Sequence, residues 1–526
     1  MSLGWKMVGV STLLYLLCLG SVQAGKLLVI PADGSHWTGM KPLVEELGRR
    51  GNQVVVVIPE ASLSMGPSEH TTTLTYPVPY TKAQMKERVA SNLEALFSVD
   101  TSTDTAKFVG FFFTLQMLQN LTVKNAESLL YHKDLMVKLK DLEFDALLTD
   151  TFEPLGTIVA EYLNVPLIYL QGNHPCDVDL LAAQCPGPAS YVPRQMTHFT
   201  DQMSFWQRSV NTVRALLHPA ACRYLHTQAD KIASKFLQRE ITTVEMMSRA
   251  AIWLMANDFT IEFPRPLMPN MVPIGVISHN NPKPLSEDLE EFVNGSGDHG
   301  FVVFTLGSMV SELPEAKARE FFEAFRQIPQ RVLWRYTGVV PKDAPKNVKL
   351  MKWLPQNDLL AHPKAKAFIT HGGTHGLYEG LCNGVPMVMI PLFGDQGDNV
   401  QRMVVRGVAE SLNIFDITSE KLLGALRKVI NDKSYKEKMM KLSAIHKDRP
   451  VEPLDLAVFW TEFVMRHKGA QHLRPAAHDL NWVQYHSLDV IGFLFLVLVT
   501  FICVMLKTCQ FCFRRCCRSS NKKKKE

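Results

Sequence analysis

A tryptophan, a His-Gly-Gly turn, a threonine, a glutamate and an Asp-Gln pair follow one another between positions 353 and 396. The turn, His371-Gly372-Gly373, interrupts an apolar run at 367–370 and precedes a helical pattern that starts at Thr374. A strand, a glycine turn and a helix start present free backbone N–H groups, the geometry that holds a phosphate. Glycines carry no Cβ and let the backbone approach closely. Thr374 can cap the helix. Glu379 falls in the first two turns, where a carboxylate can accept from sugar hydroxyls. Trp353 offers a face to a flat ring, and Asp395-Gln396 adds an acceptor and an amide. Each piece is common alone: a His-Gly-Gly turn is an ordinary connection, and a single tryptophan is usually core. In this order within one span they describe a site for a nucleotide sugar.

A second pair lies far upstream. His36 stands in Asp33-Gly34-Ser35-His36-Trp37, read as a turn just past an apolar strand at 26–31. Asp150 ends a strand at 146–148. Ligands of open α/β sheets bind at the carboxyl ends of strands. A phenolic acceptor, with an ordinary pKa of about 10, needs a base to become nucleophilic at neutral pH, and imidazole suits that task. A carboxylate accepting from one ring nitrogen would fix the tautomer and stabilise the imidazolium. Spacing alone leaves His36 equally a loop histidine, and Asp150 equally a helix N-cap.

The elements that must position these groups are legible in part. An apolar strand at 26–31, a helix at 40–50 and an apolar strand at 53–59 indicate a parallel sheet covered on both faces. A helix at 155–163 separates strands at 146–148 and 165–170. Residues 60–140 and 175–245 read less clearly. They hold helical runs at 205–217 and 227–237, and aromatic variety at Phe111, Phe112, Phe113, Phe205 and Trp206 suited to an acceptor pocket or to local core. Prolines recur from Pro264 to Pro284, a linker composition, with a domain boundary expected near 278–284. Beyond it, strands at 301–306, 331–336, 348–352, 367–370, 386–390 and 408–412 alternate with helices at 314–327, 374–382, 398–406 and 419–431. This is a second doubly wound α/β unit.

The span 353–396 resembles, at its full length, the donor-binding signature of the UDP-glycosyltransferases. The texts TLGSMVSE at 305–312, CNGVPMVM at 382–389, HKDRPVEPLDLAVFW at 446–460 and HSLDVIGFL at 486–494 are similar to those of vertebrate family 1 UDP-glucuronosyltransferases. The likeness covers essentially the whole chain and is densest from about residue 300. It implies an α/β fold of the GT-B type, two Rossmann-like domains facing a cleft. The acceptor domain would be 25–280, the UDP-sugar domain 281–450, and 451–489 would hold return helices and a juxtamembrane segment. It implies that His36 is the base and Asp150 its partner, that Trp353 stacks on uracil, and that Gln356 binds base or ribose. Glu379 would hold the ribose hydroxyls. Ser308, His371, Gly373, Thr374 and His375 would hold the diphosphate, and Asp395 and Gln396 the sugar. The implied reaction is inverting transfer of glucuronic acid from UDP-glucuronate, a co-substrate, to hydroxyl, carboxyl or amine groups of small lipophilic molecules. No cofactor and no metal cluster is implied. One departure bears on the donor: relatives often carry Arg where this chain reads Met255-Ala256-Asn257. Its absence leaves the partner of the glucuronate carboxylate unidentified and keeps UDP-glucose open. A non-catalytic regulator of related transferases is the reading from another class.

The chain has 526 residues and a net charge of +5, with much of the excess at its end and no basic stripe elsewhere, which argues against a nucleic-acid partner. Residues 1–24 read as a secretory signal: Lys6, an apolar stretch at 10–19 and Val22-Gln23-Ala24. Residues 490–506 form an uncharged apolar run followed by a basic tail at 507–526, so the positive-inside rule places the tail in the cytosol and the rest in the lumen. The ending Lys523-Lys524-Lys525-Glu526 resembles the di-lysine retrieval signal of endoplasmic reticulum membrane proteins. Assembly with itself or with related transferases is open. Four of ten cysteines are luminal on this reading, Cys176, Cys185, Cys222 and Cys382, and Cys176 could pair with Cys185 across a loop. Those at the membrane end, such as Cys512, Cys516 and Cys517, could be palmitoylated. Luminal exposure would make Asn120 and Asn294 glycosylation acceptors, Asn294 the better of the two.

Overall fold

The computed structural model describes residues 24–88, 91, 122–172, 175–277 and 282–522. The signal stretch up to residue 23, the Asn120 sequon, the phenylalanines 111–113, the centre of the expected domain boundary at 278–281 and the terminal lysines 523–525 lie outside them.

The first sheet has seven parallel strands: β1 (Lys26–Ile30), β2 (Gln53–Pro59), β3 (Thr72–Tyr76), β4 (Ala146–Thr149), β5 (Leu167–Gln171), β6 (Ile252–Met255) and β7 (Met271–Pro273). Their order is β3-β2-β1-β4-β5-β6-β7. The order reverses between β1 and β4, so a crevice opens beyond the ends of these two neighbours. Successive residues of β1 bury on opposite faces. Leu28 and Ile30 join a core with Leu155, Ile158 and Val159 of helix α2 (Leu155–Leu163). Leu27 and Val29 pack with Met40, Leu43, Val44 and Leu47 of helix α1 (Ser35–Arg49).

Helix α1 begins five residues before the expected start, which places His36 in its first turn rather than in an open loop. The cause is tertiary. Trp37 is buried and extends the apolar face backwards. The Asp33 carboxylate collects the N–H groups of Gly34, Leu63 and Ser64, pinning the chain just ahead of the helix. The two helical runs at 205–217 and 227–237 are one 33-residue helix, α3 (Phe205–Leu237), which runs through Pro219. Strands β3, β6 and β7, which the sequence pattern did not mark, are short edge or near-edge strands.

Cys176 is bonded to Cys222 of α3, not to Cys185. Cys185 is a buried thiol that donates to the Pro266 carbonyl at 3.3 Å. Proximity in sequence favoured the nearer cysteine; the packing of α3 brings up the one 46 positions away.

The second sheet has six parallel strands: β8 (Phe301–Thr305), β9 (Arg331–Arg335), β10 (Val348–Met351), β11 (Ala365–Thr370), β12 (Met387–Met389) and β13 (Ala409–Ser411). The order is β10-β9-β8-β11-β12-β13, with its reversal between β8 and β11. Around it lie α4 (Glu287–Asn294), α5 (Glu315–Arg326), α6 (Gln356–Ala361), α7 (Thr374–Cys382), α8 (Gln396–Val405), α9 (Ser419–Asn431) and α10 (Lys433–Lys447). On one face Phe304 and Trp334 stack at 4.8 Å with Phe321 and Phe325 of α5. On the other, Phe301 and Phe368 pack with Leu377 and Leu381 of α7.

After α10 the chain returns to the first sheet. Helix α11 (Pro453–His467) buries Ala457, Val458, Val464 and Met465 in the same core as α1. Arg50 donates to Asp455 at 2.6 Å, and Lys468 pairs with Asp145. The residues from Arg474 onward form a separate unit. Its main element is α12 (Leu488–Lys522), in which residues Leu488–Arg515 are long and apolar enough to cross a membrane.

Candidate active site

His36 and Asp150 follow β1 and β4, the two strands that flank the reversal of the first sheet. The pairing Ile30↔Thr149 sets their ends level. His36 Nδ1 lies 2.8 Å from Asp150 Oδ2. The other oxygen, Oδ1, accepts the N–H of Phe152 at 2.6 Å, which locks the carboxylate in a turn. It does not cap α2, whose N-cap is Pro154. The Phe152 ring packs against the imidazole with centroids 5.0 Å apart. Asp150 is 4% exposed, whereas the His36 side chain keeps 33% of its surface. With Nδ1 held, Nε2 is the nitrogen left to take a proton. Burial favours the neutral ring. The charge of Asp150 and its hydrogen bond, with smaller contributions from Asp395 and Glu153, outweigh that and raise the His36 pKa. Asp395 belongs to the second half of the molecule, at the start of α8.

The second half repeats the arrangement. Gly307-Ser308 follow β8 and His371-Gly372-Gly373 follow β11, again the two strands at the reversal, paired through Thr305↔Thr370. His371 sits between two glycines. A Cβ on Gly307 would lie 2.6 Å from its ring, and one on Gly373 also 2.6 Å. A larger residue at either place would displace the imidazole. Burial pushes the His371 pKa down to about 4, so the ring is neutral at physiological pH. Its Nδ1 is buried and has no hydrogen-bond partner among the described residues. As an anion binder it would therefore act as a neutral hydrogen-bond donor rather than as a cation. The N-cap of α7 is Gly373, and Thr374 is the first helical residue, a correction to the capping role expected of it. Thr374 Oγ1 instead donates to Asp395 Oδ2 at 3.3 Å.

His375 reaches across the cleft. A Cβ on Gly39 of α1 would come within 2.8 Å of its Nε2, so the absence of one lets the two halves touch here. Gln356, which opens α6, donates its amide to Glu379 on α7. Burial, then the charge of Asp358, pushes the Glu379 carboxyl up to about 7. Asp395 stands at the N-cap position of α8 without a side-chain capping hydrogen bond and is held by Asn399 at 2.8 Å; burial raises its pKa. Gln396 spends its amide oxygen on the N–H groups of Leu392 and Phe393, at 2.8 and 3.1 Å. Only its amide nitrogen remains for a ligand. Trp353 is 66% exposed at the rim. Asn294 ends α4 on the exposed surface, away from this group.

One residue of the constellation was missed in the sequence. Arg335 ends β9, beside β8, and donates to the carbonyls of Gly307 and Ser308, the latter at 3.1 Å. Its guanidinium stands 5.4 Å from the centre of the Trp353 ring. Burial lowers its pKa, and among the described residues no carboxylate is paired with it. The signal was available: a charge at the carboxyl end of a strand whose centre, Val332-Leu333-Trp334, is apolar. Stacking a base on an aromatic ring contributes about 1–3 kcal/mol. Trp353→Ala is accordingly expected to raise KM for a UDP-sugar about tenfold and to leave kcat within about twofold, a split that initial-rate measurements with varied donor will read.

Two facing Rossmann-like domains, with a histidine–carboxylate pair on one and a glycine-turn cradle on the other, define a glycosyltransferase of the GT-B class. Solved structures similar to the chain are of that kind. They include the spinosyn forosaminyltransferase SpnP, with a TM-score of 0.57 and 19% identity over 84% of this chain and 99% of that one. Another is the glycosyltransferase SnogD from Streptomyces nogalater, with a TM-score of 0.54 and 17% identity over 84% of this chain and 100% of that one. The family described as UDP-glucoronosyl and UDP-glucosyl transferase matches residues 25–524, and the chain belongs to it. Among its relatives, UDP-glucuronosyltransferase 1A1 of Rattus norvegicus is 51% identical over 514 residues, 97% of this chain and 96% of the relative. UDP-glucuronosyltransferase 1A1 of Homo sapiens is 49% identical over 513 residues, again 97% and 96%.

Proposed function

We propose that the protein transfers glucuronic acid from UDP-glucuronate to hydroxyl, carboxyl or amine groups of small lipophilic acceptors, with inversion, from the luminal face of the endoplasmic reticulum membrane. One observation carries the reading: His36 is held by Asp150 at 2.8 Å, and Gly39, on the same helix as His36, lies against His375 beside the His371 turn. In the mechanism, the acceptor hydroxyl donates to His36 Nε2 as its oxygen attacks the anomeric carbon from the face opposite UDP. Asp150 stabilises the imidazolium that forms. Negative charge grows on the diphosphate as the bond breaks. The N-terminus of α7, Ser308 and the neutral His371 would meet it, with Arg335 close by. Trp353 and the Gln356–Glu379 pair would hold the uridine, and Asp395 with the Gln396 amide nitrogen the sugar hydroxyls.

Relatives named as glucuronosyltransferases support glucuronate as donor. Ala256, just past β6, supplies no charge for a sugar carboxylate. Anchorage by α12 with a basic cytosolic tail accords with the run of apolar residues in it. The Asn294 sequon, luminal on this topology, would carry a glycan.

One experiment tests donor and orientation together. Membranes bearing the full chain are assayed with a phenol and either UDP-glucuronate or UDP-glucose, intact and after permeabilisation with a pore-forming peptide. Turnover with UDP-glucuronate that rises several-fold on permeabilisation is expected, because a charged donor does not cross the bilayer unaided. A higher kcat/KM with UDP-glucose would replace the donor. Full activity in sealed vesicles would reverse the orientation, and no turnover with either donor would remove the enzymatic reading.

A further inference from the structure

Three carboxylates, Asp33, Asp150 and Glu153, follow the ends of β1 and β4, and they differ in what occupies them. Asp150 is used on both oxygens, by His36 and by the Phe152 N–H. Asp33 is consumed by three backbone N–H groups and the hydroxyls of Ser62 and Ser64. Glu153, in the turn between β4 and α2, is the exception. Its Oε1 lies 3.5 Å from Asn125 Nδ2, the outer limit of a hydrogen bond, and Oε2 has no partner among the described residues.

The arm behind it is built. Asn125, 8% exposed, accepts from the Tyr80 hydroxyl and turns its amide N–H₂ towards Glu153. Tyr80, Asn125 and Glu153 come from three separate segments of the first domain, so their meeting is a product of the fold. Glu153 follows Phe152, whose ring packs on the His36 imidazole, and it feels the charges of Asp150, Asp33 and His36. Burial, first, and then Asp150 and Asp33 push its carboxyl up to about 7. No lysine or arginine pairs with it among the described residues. The transfer mechanism above has no use for this group.

We propose that Glu153 is a specificity-determining residue for the acceptor: it holds an ammonium or other hydrogen-bond donor carried by the acceptor beside the nucleophilic oxygen, and disfavours acceptors that bring a carboxylate there. The inference rests on the transferase reading. An acceptor whose hydroxyl meets His36 Nε2 comes beside the turn that carries Phe152, packed on the ring, and Glu153, which acts on its charge. A cation gains a charge-assisted hydrogen bond from the one unengaged oxygen. An anion meets like charge there.

The test compares phenols that share one ring and carry a 2-aminoethyl, an ethyl or a carboxymethyl group at the 3- or 4-position. The full chain in permeabilised membranes is supplied with UDP-glucuronate. Wild type should rank them aminoethyl, ethyl, carboxymethyl by kcat/KM. In Glu153→Gln the aminoethyl-to-ethyl ratio should fall about tenfold and the carboxymethyl-to-ethyl ratio should rise, while Glu153→Asp keeps the wild-type order. Ratios that stay within about twofold of wild type overturn the proposal. So does a wild type that prefers the carboxymethyl phenol, a result that needs no variant to fold. Turnover with unmoved ratios removes only the role of Glu153; no turnover of any phenol by wild type removes the transferase reading and this one with it.

Discussion

Alanine at position 36 is expected to lower kcat by about three orders of magnitude while KM for the UDP-sugar changes little. A positioned base contributes about 10²–10⁴-fold to a proton transfer. The groups proposed to hold UDP sit on the other domain, so donor binding is expected to survive the substitution. The loss should shrink with the acidity of the acceptor. A nitrophenol, largely ionised at neutral pH, needs no base, whereas an alkyl phenol does. Initial rates across such a series will check the expectation. A defect of equal size for every phenol would mean that His36 positions the acceptor instead of deprotonating it.

Asp150→Asn should cost about two to three orders of magnitude in kcat, with no change in fold, since the side chains are isosteric. An asparagine amide can turn its N–H₂ towards Nδ1. That forces the ring proton onto Nε2, the nitrogen that must accept, and withdraws the charge that stabilises the imidazolium. The pH profile gives a second reading. The base works only when neutral, so activity is lost as pH falls through the His36 pKa. Asp150 raises that pKa. Removing its charge therefore moves the acid limb of kcat/KM to lower pH even as the plateau drops. A limb that stays in place would show that the Asp150 charge does not govern the ring.

Much of this molecule is written in local pattern. Strand β2 and helix α2 stand where periodicity puts them, because apolar β-branched runs and an i, i+3, i+4 face are properties of a few adjacent residues. The His-Gly-Gly turn is equally local. What misled was long-range. The start of α1 depends on Trp37 finding a core and on Asp33 finding N–H groups 30 and 31 residues away. The partner of Cys176 depends on where a 33-residue helix lies. Arg335 could be seen as a charge at a strand end, but its relation to Ser308 and Trp353 follows from the neighbouring of β9 and β8.

The sequence by itself determined the kinds of element, the chemistry of each turn and the family, since these reside in contiguous residues. The tertiary structure alone decided which turns face one another. His36 and Asp150 are 114 positions apart and meet because β1 and β4 are neighbours at a reversal of strand order. His375 touches Gly39 because two sheets of that design close on one cleft. Glu153 meets Asn125, and Asn125 meets Tyr80, because segments far apart in the chain pack together. Strand order and domain closure are set by the summed burial of whole faces, a quantity that no short stretch of sequence contains.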